Sequence, residues 1–173
     1  MTADNQQERL DCKWIVGFTD GEGCFHVSIN KLQGMKLGWQ VLPEFRIVQH
    51  EKDEEVLYKI KNYFKFGDVK INRTDKHGTR KEFRVRGLEN LNQIVKFFKE
   101  NLLMTESKRK NFDIFSEIID LMNKKEHLTK KGLDKIAELS SLMNRRPKLN
   151  YLKSSETTRQ TSCEQEEDIV RTA

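Results

Sequence analysis

The sequence predicts an α+β fold, a four-stranded antiparallel sheet carrying helices on one face. Three observations predict it. Segments with the two-residue apolar alternation of half-buried strands occur as two pairs. Stretches with the 3.6-residue stripe of amphipathic helices precede and follow each pair. The 173 residues amount to about one domain, and ten Phe supply a core that needs no disulfide or metal staple.

The first helix starts at Asp11, a capping residue, carries Trp14, Ile15 and Phe18, and ends at Gly21 or Gly23. Over 24–30, Phe25, Val27 and Ile29 alternate with His26, Ser28 and Asn30, giving a strand with one dry and one wet face. Residues 31–38 form a loop. A second strand, roughly 40–49, turns Val41, Phe45 and Ile47 inward and Gln40, Arg46 and Val48 outward, with Pro43 marking an irregularity or an edge. A helix over 53–65 follows, striped by Val56, Leu57, Ile60 and Phe64. Next comes a hairpin, 68–73 and 81–86, around a turn-rich segment with Asp75, His77 and Gly78. Phe83 and Val85 face one way; Glu82, Arg84 and Arg86 face the other. Three more helices span 88–102 (Leu91, Ile94, Val95, Phe98), 106–122 (Phe112, Phe115, Ile118, Ile119) and a segment from the Thr129 cap through Leu133, Ile136, Leu139 and Met143. The expected organisation is a flexible N-terminus over 1–10, a globular domain over 11–147 closed by Arg145-Arg146-Pro147, and a disordered tail over 148–173.

Charge narrows the function. The net charge is +5, and residues 65–110 hold 13 Lys/Arg against 6 Asp/Glu, while 154–173 carry a net −3. A basic body suits a polyanion. The wet face of the sheet collects His26, Ser28, Asn30, Gln40, Glu44, Arg46, Lys70, Asn72, Arg80 and Arg84. Such a face can enter a major groove and touch base edges, although an ordinary solvated face has the same composition. No apolar run is long enough to span a bilayer, so no membrane partner is expected. Three scattered cysteines (Cys12, Cys24, Cys163) and an N-terminus without an apolar stretch point to free thiols in an intracellular, reducing compartment.

The most informative stretch is Ile15–Gly23, I-V-G-F-T-D-G-E-G. Gly17 and Gly21 lie four apart on one helix face, a spacing that lets two helix backbones approach closely. Each costs about 1 kcal/mol relative to Ala, so a close helix partner is expected. Asp20 and Glu22 stand at the negative end of the helix dipole, which a cation would relieve. Mg²⁺ takes one or two carboxylates together with water and phosphate oxygens. The residues alone leave a second reading open, a glycine-rich helix stop with two solvated acids.

Ile15–Gly23 resembles the LAGLIDADG motif of homing endonucleases, present once as in the family's homodimeric members. The element order of 11–123 is similar to the family's αββαββα core, and 128–143 to its C-terminal helix. The resemblance implies a site-specific endonuclease, active in intron homing, that cuts both strands of a long pseudo-palindromic double-stranded DNA. It implies catalytic roles for Glu22, Gln49 and Lys108, with Glu22 the metal-binding carboxylate and Gly21 a backbone-carbonyl ligand. Asp20 is a weaker ligand in this pattern and more structural. Gln49 orients a metal-bound water, and Lys108 lies near the scissile phosphate, a role Arg109 or Lys110 could also fill. The implied cofactor is Mg²⁺ or Mn²⁺, and the implied homodimer interface is Trp14, Gly17, Phe18 and Gly21. A Lys-rich, Pro-poor composition is compatible with an AT-rich chloroplast or mitochondrial genome. Two other readings share the fold: a maturase with intron RNA as partner, and a DNA-binding protein that does not cut.

Overall fold

A computed structural model describes residues 10–143 and Tyr151. Asp11 caps the first helix, α1 (Cys12–Glu22), by accepting the Lys13 N–H at 3.3 Å, and the Gly23 N–H closes it on the Thr19 carbonyl. The alternating residues then form β1 (Gly23–Lys31) and β2 (Trp39–His50). A 3-10 turn leads into α2 (Glu55–Phe64), followed by β3 (Asp68–Asp75) and β4 (Gly78–Val85). Three further helices follow: α3 (Leu88–Glu100), α4 (Glu106–Asn123) and α5 (Lys130–Ser141). The Thr129 hydroxyl caps α5 as expected, accepting the Gly132 N–H at 3.1 Å.

The sheet is antiparallel in the order β1-β2-β4-β3. All five helices pack on one face: α1 on β1 and β2, α2 on β3 and β4, α3 on β2, and α4 and α5 on β1. The alternation of the strands and the stripes of the helices meet in one core. At its centre the Phe25 ring lies 5.2–5.6 Å from the rings of Phe45, Phe98, Phe112 and Phe115. Truncating such a buried Phe to Ala typically costs about 3–5 kcal/mol, so this cluster fixes how the helices sit on the sheet. The sheet's other face is left to solvent, as its pattern predicts.

The hairpin differs from expectation. Its strands run to Asp75 and from Gly78, leaving a two-residue turn of Lys76 and His77. The polar run Thr74–Arg80 carries no apolar alternation, yet the ladder continues through it. The Thr74 and Thr79 hydroxyls meet at 3.2 Å, and Asp75 accepts the His77 N–H at 2.8 Å. Gly78 takes φ +103°, a conformation that side-chain-bearing residues rarely adopt. Arg86 lies beyond the end of β4. Pro43 sits where β2 pairs with β1 alone, β4 joining only from Phe45 onward, so the proline occupies a locally free edge.

Glu44, expected as a DNA-binding residue, lies on the wet face of the sheet but is only 5% exposed, enclosed by arginines. Cys12 and Cys24 are free thiols. Among the described residues no helix is long and apolar enough to cross a membrane. The expectations for 1–9, for Arg145-Arg146-Pro147 and for the tail lie outside the described residues, as does Cys163. Tyr151 is the exception within that tail. Its ring meets Trp39 edge-on at 5.1 Å and its hydroxyl donates to Asp134, so the chain touches the domain beyond residue 147.

Candidate active site and nucleic-acid interface

The two acids at the end of α1 have different surroundings. Asp20 is bound by three donors at the start of α4: the Met104 N–H at 2.7 Å, the Thr105 N–H at 3.1 Å and the Thr105 hydroxyl at 2.8 Å. Thr105 is the N-cap residue of α4 but makes no side-chain cap of its own, so Asp20 supplies the negative charge that the helix start favours. Desolvation pushes the Asp20 pKa up. The Met104 and Thr105 donors, with the Lys108 charge, outweigh it, and the net shift is downward. Glu22, two residues on, is exposed and has no hydrogen bond or ion pair among the described residues.

The docking of α4 on Asp20 carries Lys108 to the same place, where its ammonium donates to the Gly23 carbonyl. Arg109 turns away, donating through Nε and Nη2 to the Leu103 carbonyl at 3.1 and 3.0 Å. Of the three basic residues at this helix start, Lys108 therefore reaches the α1–β1 junction and Arg109 locks the preceding loop. Gln49 lies two residues beyond Ile47, whose partner across the ladder is Gly23, so it also borders the junction. Its own cross-strand partner is Lys81, which is paired to Glu54.

Glu22 and Lys108 thus stand at the α1–β1 junction with the carbonyls of the last turn of α1, Gln49 lies two residues along β2 from the partner of Gly23, and the acceptors here are oxygens. Helix-end carbonyls lack partners one turn ahead and are free to accept. Such a set fits a hard divalent cation and not a soft one. Among the described residues no group of three or more His, Cys, Asp or Glu could hold a metal. Glu22 is thus the free carboxylate at this end of α1 among the described residues.

On its outward side α1 is bare. A Cβ built at Gly17 or Gly21 meets no atom within 4 Å. Beside them Trp14, 40% exposed, stacks on Phe18 with ring centroids 4.7 Å apart.

The wet face of the sheet holds all ten residues assigned to it. Cross-strand pairs share a face, and the register pairs His26 with Glu44, Asn30 with Gln40, Arg46 with Arg84, and Lys70 with Glu82. Asn72, at the β3 bulge, reaches the same side and donates to Glu82 at 2.8 Å. Arg80 is held by Asp75 at 3.2 Å. Arg46 and Arg84 are not free cations. Both lie against Glu44, at 3.5 and 3.8 Å, and Arg84 also pairs with the fully buried Glu82. Desolvation raises the Glu44 pKa, but its hydrogen bonds from Arg86 and the nearby charges of Arg84 and Arg46 bring the net shift below the ordinary value. Sequence reasoning placed Glu82 and Arg86 on this face but missed the pairing of Glu82 with Arg84 and of Arg86 with Glu44, as well as the partners that Asp20 finds at the start of α4. The pairing register alone could have found the second pair, since extending it past Phe45↔Val85 places Glu44 opposite Arg86.

Known proteins resemble this chain in sequence and fold. A curated relative, "Probable intron-encoded endonuclease 2" of Neurospora crassa, is 37% identical over 137 residues, covering 78% of this chain but only 29% of its own length. The chain thus spans under a third of that relative. Among solved structures, the homing endonuclease I-TnaI superposes with a TM-score of 0.78 at 43% identity, covering 87% of this chain and 98% of that one. I-SmaMI, solved bound to an uncleaved DNA target in the presence of calcium ions, superposes with a TM-score of 0.77 at 31% identity, covering 85% of this chain and 49% of that one. The LAGLIDADG endonuclease model matches residues 15–119, from the first turn of α1 into α4, and on that match the chain belongs to the LAGLIDADG endonuclease family.

Proposed function

We propose that this chain is one half of a site-specific, divalent-metal-dependent DNA endonuclease of the homing type, assembled as a homodimer. One observation carries the reading: Glu22, an exposed and unpartnered carboxylate, ends a helix whose outward face is bare at Gly17 and Gly21. Two such helices packed face to face would bring two Glu22 carboxylates together at the dyad, and a two-fold protein suits a pseudo-palindromic duplex. The chain covers 98% of one solved relative and 49% of another, so the covering helix comes from a second copy or from a second half of a longer chain.

Hydrolysis of a phosphodiester needs a water in line with the leaving 3′ oxygen. Glu22 and the Gly21 carbonyl would hold a Mg²⁺ or Mn²⁺ ion, which when bound relieves the charge of the attacking and leaving oxygens. Gln49 orients the attacking water through its amide. Lys108, already at the Gly23 carbonyl, offers its ammonium to the scissile phosphate. Asp20 acts by positioning, since it seats the start of α4 from which Lys108 projects. The wet face of the sheet reads the flanking major groove. Relatives named as intron-encoded support an intron-borne gene and an intracellular, organellar setting.

The test compares wild type with Glu22→Gln on a duplex selected from a randomised library by wild-type cleavage. Gln keeps the shape of Glu and removes the charge that binds the ion. Cleavage is expected to fall by orders of magnitude while binding in a gel-shift titration survives. Undiminished cutting would remove Glu22 from the mechanism, and loss of binding together with cutting would make it structural.

A further inference from the structure

The DNA-facing side of the sheet contains two carboxylates where phosphate repulsion should disfavour them, and both are withdrawn from water. Glu82 is 0% exposed and Glu44 5% exposed, although neither lies in the apolar core. Burying a carboxylate is costly unless it is closely paired. Glu44 receives a two-pronged contact from Arg86, with Nε at 2.9 Å and Nη2 at 2.8 Å, and lies 3.5 Å from Arg46 and 3.8 Å from Arg84. Glu82 accepts from Asn72 at 2.8 Å and pairs with the Arg84 Nη2. The network is incomplete: Arg84 Nε and Glu82 Oε1 are buried in close ionic contacts but complete no hydrogen bond.

From this network we infer that Glu44 and Glu82 are specificity-determining residues, which position Arg46, Arg84 and Arg86 for base edges and hold them back from indiscriminate phosphate binding. The inference rests on the DNA-reading role of the sheet proposed above. Arg46 and Arg84 face each other directly across the ladder, an unfavourable arrangement for two like charges. Glu44 lies within reach of both. Arg84 is gripped from two sides, by Glu44 at Nε and Glu82 at Nη2, while its Nη1 has no partner among the described residues. A guanidinium held this way has a fixed direction and a partly neutralised charge. It gains little from a phosphate at an arbitrary place. A pair of acceptors such as guanine O6 and N7, presented where the fork points, still satisfies it. The carboxylates thereby trade general affinity for discrimination, and they repel any docking register that brings a phosphate over them.

The test measures binding of wild type, Glu82→Gln and Glu44→Gln to the library-selected duplex and to a random-sequence duplex of equal length, over a range of salt. Gln is isosteric with Glu and frees the arginines. Affinity for the random duplex is expected to rise, with a salt slope steeper by about one counterion. The ratio of selected to random affinity should fall about tenfold, within the range one bidentate arginine contact supplies. The loss of preference should be confined to the base pairs that Arg46→Ala, Arg84→Ala or Arg86→Ala also relaxes. An unchanged ratio in a variant that merely melts earlier would overturn the inference and leave the carboxylates as fold-holding groups. If Glu82→Gln does not fold, Glu44→Gln decides by the same ratio, because its main partner, Arg86, is already half exposed. A wild-type protein with no preference for the selected duplex would instead refute the DNA-reading role itself, and this inference with it.

Discussion

Asp20→Asn separates the two acids of the motif. Asp20 Oδ2 accepts the Met104 N–H, and Oδ1 accepts both donors of Thr105. Asn keeps one acceptor oxygen, so it can serve Thr105 or Met104 but not both, and its amide must confront the N–H that it abandons. Hydrogen bonds to charged acceptors contribute roughly 1.5–3 kcal/mol each, and helix caps about 0.5–2. The site is partly open to water, which favours the low end. The expected loss is about 1–2 kcal/mol, or roughly 2–8 °C in Tm for a domain of this size. Cleavage should fall as well, because the start of α4 that carries Lys108 loosens. Glu22→Gln should leave Tm nearly unchanged, since no contact is removed. Acid gives a second readout. Asp20 has a lowered pKa in the fold, so its stabilisation is complete above the ordinary carboxylate range, near pH 4, and is lost as pH falls through the folded value. The Tm gap between wild type and Asp20→Asn should therefore close below about pH 4. Thermal melts of the three proteins from pH 3 to 7 decide the matter. A wild-type Tm for Asp20→Asn beside a lowered one for Glu22→Gln would refute the assignment.

Three further outcomes follow from the geometry. Gly21→Leu or Gly17→Leu, placed where a Cβ meets nothing within the chain, should leave the unfolding transition intact, reduce the native mass from twice 20.5 kDa to one chain, and abolish cleavage. Arg84→Ala should relax preference at particular base pairs by about 1–3 kcal/mol, whereas Lys110→Ala should weaken all sequences alike and lower the salt slope by about one, as read by binding titrations on variant duplexes. Gly132→Ala should cost about 1–3 kcal/mol in urea unfolding, because its Cβ would overlap the Glu126 carbonyl at the tight entry to α5.

Much of this was legible in the sequence where packing leaves a period. Phe25, Val27 and Ile29 announced β1, and Leu91, Ile94, Val95 and Phe98 the inner stripe of α3, because one face of each is dry. The span 74–80 was illegible as strand. Both of its faces are wet, so no alternation marks it, and backbone pairing alone extends it. The site divides in the same way. Glu22 and Lys108 were assigned their roles through a motif and an element order. The clamp of Asp20 on Met104 and Thr105 joins residues over 80 positions apart, which no local pattern encodes. The burial of Glu44 was not legible, because it depends on Arg86 arriving just past the end of β4, a matter of register.

The hairpin has a consequence for how the protein could change its target. Along β3 only Val69 is even half-buried, and Ile71 is 62% exposed. Lys70, Thr74 and Lys76 are exposed and owe almost nothing to the core, so replacing them should shift stability by no more than about 0.5 kcal/mol. Arg46 and Arg84 lie over buried carboxylates, and exchanging either strands a charge. Recognition is then divided between a stiff central patch and a freely tunable arm. Drift in nature, and retargeting at the bench, should accumulate along the arm first, with changes at the central patch surviving only when an arginine and its glutamate change together.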